Sequence, residues 1–194
     1  MIDEILKIYS RDTDAHSLIW IGKGSFVLAR IAFNLPLGFF TFLPTTFYLM
    51  HHSIEVFIKA FLVIEKIKYQ HGKEGHELVN LLKIGIKKSK KLSFLNDKIL
   101  YRKDFKDLLD ILDLSYNKNR YSFPGYHLSY DKVRDLFDEL IYIFIEHFYE
   151  LLNTNRMAFE QLRQIDIPEL LLPLMQYKQK QQFIFCIIPL HWGK

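Results

Sequence analysis

Residues 130–153 read YDKVRDLFDELIYIFIEHFYELLN, and this stretch decides the fold. Val133, Leu136, Phe137, Leu140, Ile141, Phe144, Phe148 and Leu151 recur at the spacing of one face of a helix. Ser129, just before it, is a short hydroxyl residue of the kind that accepts an orphan N–H at a helix start. A helix of this length, about 36 Å, buries its apolar stripe only against other helices. The rest of the chain supplies them.

Upstream, 115–129 is a polar and aromatic loop with the turn formers Asn117, Asn119, Pro124 and Gly125. Before it, 93–114 forms one helix or two short ones, with Phe105, Leu108, Leu109 and Leu112 on one side and Asp104, Asp107 and Asp110 on the other. A helix over 76–88 carries Leu78, Val79, Leu81, Leu82 and Ile86. A longer one over 45–69 has Phe47, Ile54, Phe57, Ile58, Phe61 and Leu62 and is apolar nearly all round, which places it centrally. The first helix, 13–33, buries Leu18, Phe26, Ala29 and Phe33 and is weakened at Gly22-Lys23-Gly24-Ser25. That tetrapeptide lacks the earlier glycine and preceding strand of a phosphate loop, so it is not read as one.

Downstream, a short helix to about Arg163, a break over 166–168 and the apolar, β-prone run 183–188 complete the chain. That run is an extended segment packed on the helices, or a strand paired with a neighbouring chain. The class is all-α: an up-and-down bundle of four to five core helices, with extra N- and C-terminal segments, in one domain spanning 1–194.

Composition narrows the setting. With 49% hydrophobic residues the chain can offset the entropy of folding, so disorder is excluded as the general state. Cys186 is the only cysteine, which rules out an internal disulfide framework or a cysteine zinc cluster and fits a cytoplasmic location. The opening residues 1–10, with Asp3 and Glu4, lack the pattern of an export signal. Residues 31–53 carry no Asp, Glu, Lys or Arg and approach the length of a membrane span, but Asn34, Pro36, Gly38 and Pro44 punctuate them. We read Pro44-Thr45 as a loop feeding the next helix and expect no membrane partner. The net charge of +4 leans toward an anionic partner. Lys83, Lys87, Lys88, Lys90 and Lys91 either grip a phosphate backbone or form a solvated helix end.

Three motifs in order carry a resemblance. Leu49-Met50-His51-His52-Ser53-Ile54-Glu55-Val56-Phe57-Ile58-Lys59-Ala60, then Gly75-His76-Glu77-Leu78, then Asn119-Arg120-Tyr121, together resemble the HEPN family of helical domains over a core of about 45–153. The family marks its second helix with a glutamate and a Lys-Ala pair, starts its third with a Gly-His-acidic-Leu step, and places an arginine motif before its last core helix. The resemblance implies nucleotide or RNA binding through the loop from Arg120 to His127, by Asn119, Tyr121 and Tyr130, with Glu55 and Lys59 supporting the loop from behind.

Family ribonucleases of toxin–antitoxin type carry an arginine followed after four to six residues by a histidine, and Arg120 precedes His127 with six between. Such a pair needs no metal and no cofactor: an imidazole moves the proton while a guanidinium stabilises the charged phosphorane. Here Tyr121 follows the arginine, where those ribonucleases often have a polar residue. The departure leaves three roles open for Arg120 and His127: catalysis, phosphate binding, or structure. Tyr130 equally reads as a hydrophobic cap, and Glu55 with Lys59 as a simple pair four residues apart.

Two rivals come from other classes. His52 with Glu55 and His147 with Glu150 hint at a di-metal bundle, but the order is reversed from Glu-x-x-His, so no metal is expected. The other is a non-catalytic interaction module, a homodimer or the partner of a nucleotidyltransferase-like protein. Seventeen Phe and eleven Tyr favour some buried subunit contact.

Overall fold

The computed structural model describes residues 15–34, 39–69, 73–117 and 128–152. Among these there are five α-helices and no strand: α1 (Ala15–Asn34), α2 (Phe39–Ile64), α3 (Leu78–Lys88), α4 (Lys103–Asn117) and α5 (Tyr130–Leu152). Short turns of tighter or wider helix lie at Lys73–His76, Lys90–Leu92 and Asn96–Leu100. The all-helical class is as the periodicity predicts. The expected helix after 154 and the apolar run 183–188 lie outside the described residues.

Helix α2 packs against all four others. Its Ile54, Phe57, Ile58, Phe61 and Leu62 are fully buried, as an all-round apolar helix requires. Phe61 stacks on Phe148 of α5 at 4.0 Å and meets Phe144 edge-on at 5.6 Å, so aromatic contact adds to area burial at the centre. On α5 the expected face is buried from Val133 to Phe148, with Leu151 partly so. Its start is capped as expected, Ser129 Oγ accepting the Lys132 N–H at 3.3 Å.

Helix α1 is not interrupted at its glycines. A Cβ on Gly22 would lie 3.0 Å from the Phe57 ring, so the missing side chain lets α1 approach α2, where Ser53 Oγ donates to the Gly22 carbonyl at 2.8 Å. Close packing outweighs the poor helix propensity of glycine. Helix α2 also departs from expectation, since Pro44 lies inside it rather than in a loop before it. Proline there forfeits one backbone bond near the helix start, and buried Leu43 and Phe47 on either side compensate for the loss. By length and composition Leu43–Ile64 could cross a membrane, yet 67% of its apolar window is buried inside the protein.

Two further boundaries shift. Helix α3 begins at Leu78 because the tight turn Lys73–His76 takes the residues before it, and α4 runs on to Asn117, into the segment expected to be loop. The region 93–114 is divided at Arg102, whose guanidinium binds both Asp104 and Glu139 of α5 and so ties the start of α4 to α5. Arg30 on α1 is completely buried and pairs with Asp138 of α5 at 3.2 Å. Burial pushes the Asp138 carboxyl up to about 7, against the opposing pull of Arg30 and Arg134.

At the end of α2 the chain turns through Lys66 with φ of 54°. The Ile67 N–H reaches the Leu62 carbonyl at 2.8 Å and the Lys66 N–H reaches Val63 at 3.0 Å, the double bond of a Schellman cap. Glycine is the usual occupant of that left-handed position.

Candidate functional site

Glu55 is almost wholly buried on α2, and its two oxygens are the hub of a polar cluster. Its Oε1 accepts from Lys59 Nζ at 2.5 Å, one helical turn on, and from His76 Nδ1 at 3.0 Å. Its Oε2 lies 3.6 Å from His51 Nδ1. A carboxylate taken this far from water persists only with such partners.

Because a carboxylate accepts, His76 directs an Nδ1–H at Glu55, which leaves Nε2 as the ring nitrogen that Glu55 does not engage. The His76 side chain is 37% exposed, so solvent or a ligand can reach it. This is the arrangement by which a carboxylate fixes the tautomer and direction of a proton-accepting imidazole.

His51 is fully buried, and its Nε2 donates to Asp113 Oδ1 of α4 at 3.0 Å. The same Asp113 accepts the backbone N–H of Leu78, so one carboxylate joins α2, α3 and α4. Tyr116, a turn further along α4, stacks on His51 at 4.2 Å and on His76 at 5.5 Å, and Tyr48 stacks against Tyr116 at 5.8 Å. The Tyr69 ring lies 5.3 Å from Lys59 Nζ. Burial, and then the negative charge of Glu55, raise the Tyr69 phenol above its usual value. Burial lowers His52, with Glu55 pulling it the other way.

An open groove of about 570 Å³ adjoins the cluster at Asp113. Glu74, Glu77 and Asp110 give it an acidic wall, relieved by Lys83. Burial raises the Asp110 carboxyl. A second imidazole–carboxylate pair, His147 with Glu150 at 2.6 Å, is separate: Lys98 Nζ sits 2.9 Å from His147 Nε2, and Phe94 stacks on the ring at 3.7 Å. Among the described residues no group of three or more His, Cys, Asp or Glu could hold a metal ion.

Of the residues singled out from sequence, Glu55 and Lys59 meet each other here, and Tyr130 opens α5. Asn119, Arg120, Tyr121 and His127 lie outside the described residues. The sequence points to no role for Asp113 or Tyr116, and it gives His51 and His76 only a place in the quoted motifs. The one available signal was His51 four residues before Glu55. Asp113 lies 58 positions beyond Glu55, and no local pattern links them. No protein-family model matches this chain, and no curated protein or solved structure is similar enough to it to count as a match.

Proposed function

We propose that this protein is a HEPN-like, up-and-down helical domain that binds nucleotide or RNA where Glu55, His51, His76 and Tyr116 meet, with Arg120 gripping a phosphate. One observation carries the reading. Tyr116 closes the cluster with its ring, and Arg120 follows it by only four residues, which bounds their Cα separation at about 14 Å. Asn119 and Tyr121 flank the arginine, and Tyr48, an exposed ring beside Tyr116, offers an aromatic surface for a base.

The chemistry these groups can perform is phosphodiester transfer without a metal. His76 Nε2 takes the proton of a 2′-hydroxyl, the freed oxygen attacks the adjacent phosphorus, and the 5′-oxygen leaves with a proton supplied by His127. Arg120 and Lys59 stabilise the negative charge that builds on the phosphorus oxygens. The products are a 2′,3′-cyclic phosphate and a 5′-hydroxyl.

The test is cleavage of single-stranded RNA in excess chelator, with end-group analysis, beside equilibrium binding of nucleotides. Arg120→Ala is expected to weaken binding and lower cleavage by about 100-fold or more. Cleavage that appears only on adding a divalent metal would overturn the mechanism. Binding that ignores Arg120→Ala would overturn the site.

A second reading has an observation of its own. Trp20, Ile21 and Leu28 are exposed on α1, where Gly24 leaves open space, and such an apolar stripe suits a helix from a second copy or from a nucleotidyltransferase-like partner. Under that reading the domain is an interaction module, and substitution of Trp20, not Arg120, removes its activity.

A further inference from the structure

The lysines at the far end of α3 are not isolated on a helix end. Lys88 Nζ reaches the Lys68 carbonyl at 3.5 Å, which brings the residues after α2 alongside the end of α3. Lys66, Lys68, Lys87, Lys88, Lys90 and Lys91 are all exposed there. The only carboxylate in those two stretches is Glu65, already engaged by Ser89 Oγ at 2.7 Å and Lys91 at 3.4 Å. We propose that this lysine edge is a docking track for the backbone of single-stranded RNA running outward from the Glu55 site. The inference rests on the nucleotide-or-RNA reading above and adds a second contact surface to it.

Three observations support it. The track joins the site, since Tyr69 follows Lys68 directly and lies against Lys59. Helix α3 has its first residue at the Asp113 junction and its last at the lysines, so the two regions lie about 16 Å apart, the length of about five stacked nucleotides. Approach from the other flank is opposed by the acidic groove of Glu74, Glu77 and Asp110. The path of the backbone is therefore set by charge.

Lys66 supplies an independent sign. It holds a left-handed conformation in which glycine would be unstrained, so the turn carries a cation on this edge where a residue without charge would serve the backbone better. An anionic membrane would also attract lysines, but among the described residues the exposed large hydrophobics, Trp20, Ile21, Leu28, Tyr48, Tyr101 and Leu114, all lie on other segments. A membrane-binding face would need apolar residues beside its cations.

The test is fluorescence anisotropy with an oligouridylate of about 15 nucleotides and, separately, a dinucleotide, across a salt series. Lys68→Gln, Lys87→Gln, Lys88→Gln and Lys90→Gln combined should weaken the long oligomer by about ten-fold or more. They should also reduce the slope of log affinity against log salt by about 3. Dinucleotide binding should stay unchanged, as should long-oligomer binding by Lys103→Gln, Lys106→Gln and Lys132→Gln combined. Circular dichroism checks that each variant is folded. An unaltered slope overturns the proposal, and so does tighter binding to phosphatidylserine vesicles than to RNA. If the lysine variant behaves as expected while Arg120→Ala leaves dinucleotide binding intact, the track stands and the Arg120 site falls.

Discussion

Asp113 caps a helix that it does not belong to: its two carboxylate oxygens accept the Leu78 backbone N–H at 3.0 and 3.1 Å. Glu77, the local N-cap of α3, makes no side-chain cap bond. The orphan donor at the start of α3 is therefore satisfied from α4, and the same oxygen holds His51. Asp113→Ala should cost about 1–2 kcal/mol, the usual worth of a cap, measured by urea unfolding. Asp113→Asn should recover about half of it. Equal stability of the alanine variant and the wild type would show that the cap bond contributes nothing.

Glu55 acts on two neighbours in the same direction. Its charge raises both the Tyr69 phenol and the His52 imidazole. In Glu55→Gln, Tyr69 should titrate at lower pH, read by ultraviolet difference absorption. His52 should fall further below its ordinary value, read by proton NMR. A Tyr69 titration that does not move would place Glu55 too far from the ring to matter.

Asp138 gives a pH dependence whose sign can be worked out. Its folded value of about 7 stands above the ordinary 3.8, so the folded state holds the proton more tightly than the unfolded chain. The stability it contributes is complete below about 3.8 and is lost as pH rises through about 7. The wild type should therefore lose stability relative to Asp138→Asn as pH rises between those limits. A flat difference across that window would show that the carboxyl titrates normally.

Lys66 sets stability against binding. Lys66→Gly relieves a left-handed lysine and should stabilise the protein by about 1 kcal/mol in thermal or urea unfolding, while weakening long-oligonucleotide binding. Lys66→Ala removes the same charge without relieving the backbone and should weaken binding alone. If glycine does not stabilise, the turn is not strained.

The helical class and the buried faces were legible because a periodicity of 3.6 is a local property, and residues such as Phe105, Leu108 and Phe137 follow it into the core. Gly22 and Pro44 are both poor helix residues locally, yet both lie inside helices: Gly22 packs closely on Phe57 of the next helix, and Pro44 sits near a helix start between buried Leu43 and Phe47. Glu55 and Lys59 were visible as a pair four apart. The enclosure of Glu55 by His76, and of His51 by Asp113, depends on how α2, α3 and α4 meet, which no window of sequence contains. Charge density at 83–91 was also visible, but not that Lys66 and Lys68 extend it.

Lys59 and His76 lean on a single oxygen of Glu55, so the protein keeps its donors gathered around a resident anion of its own. Under the proposed function, an arriving phosphate would not have to assemble these groups; it would meet them already held in place by that carboxylate. Binding would then cost little ordering, because the donors lose their freedom when the chain folds and not when the guest arrives.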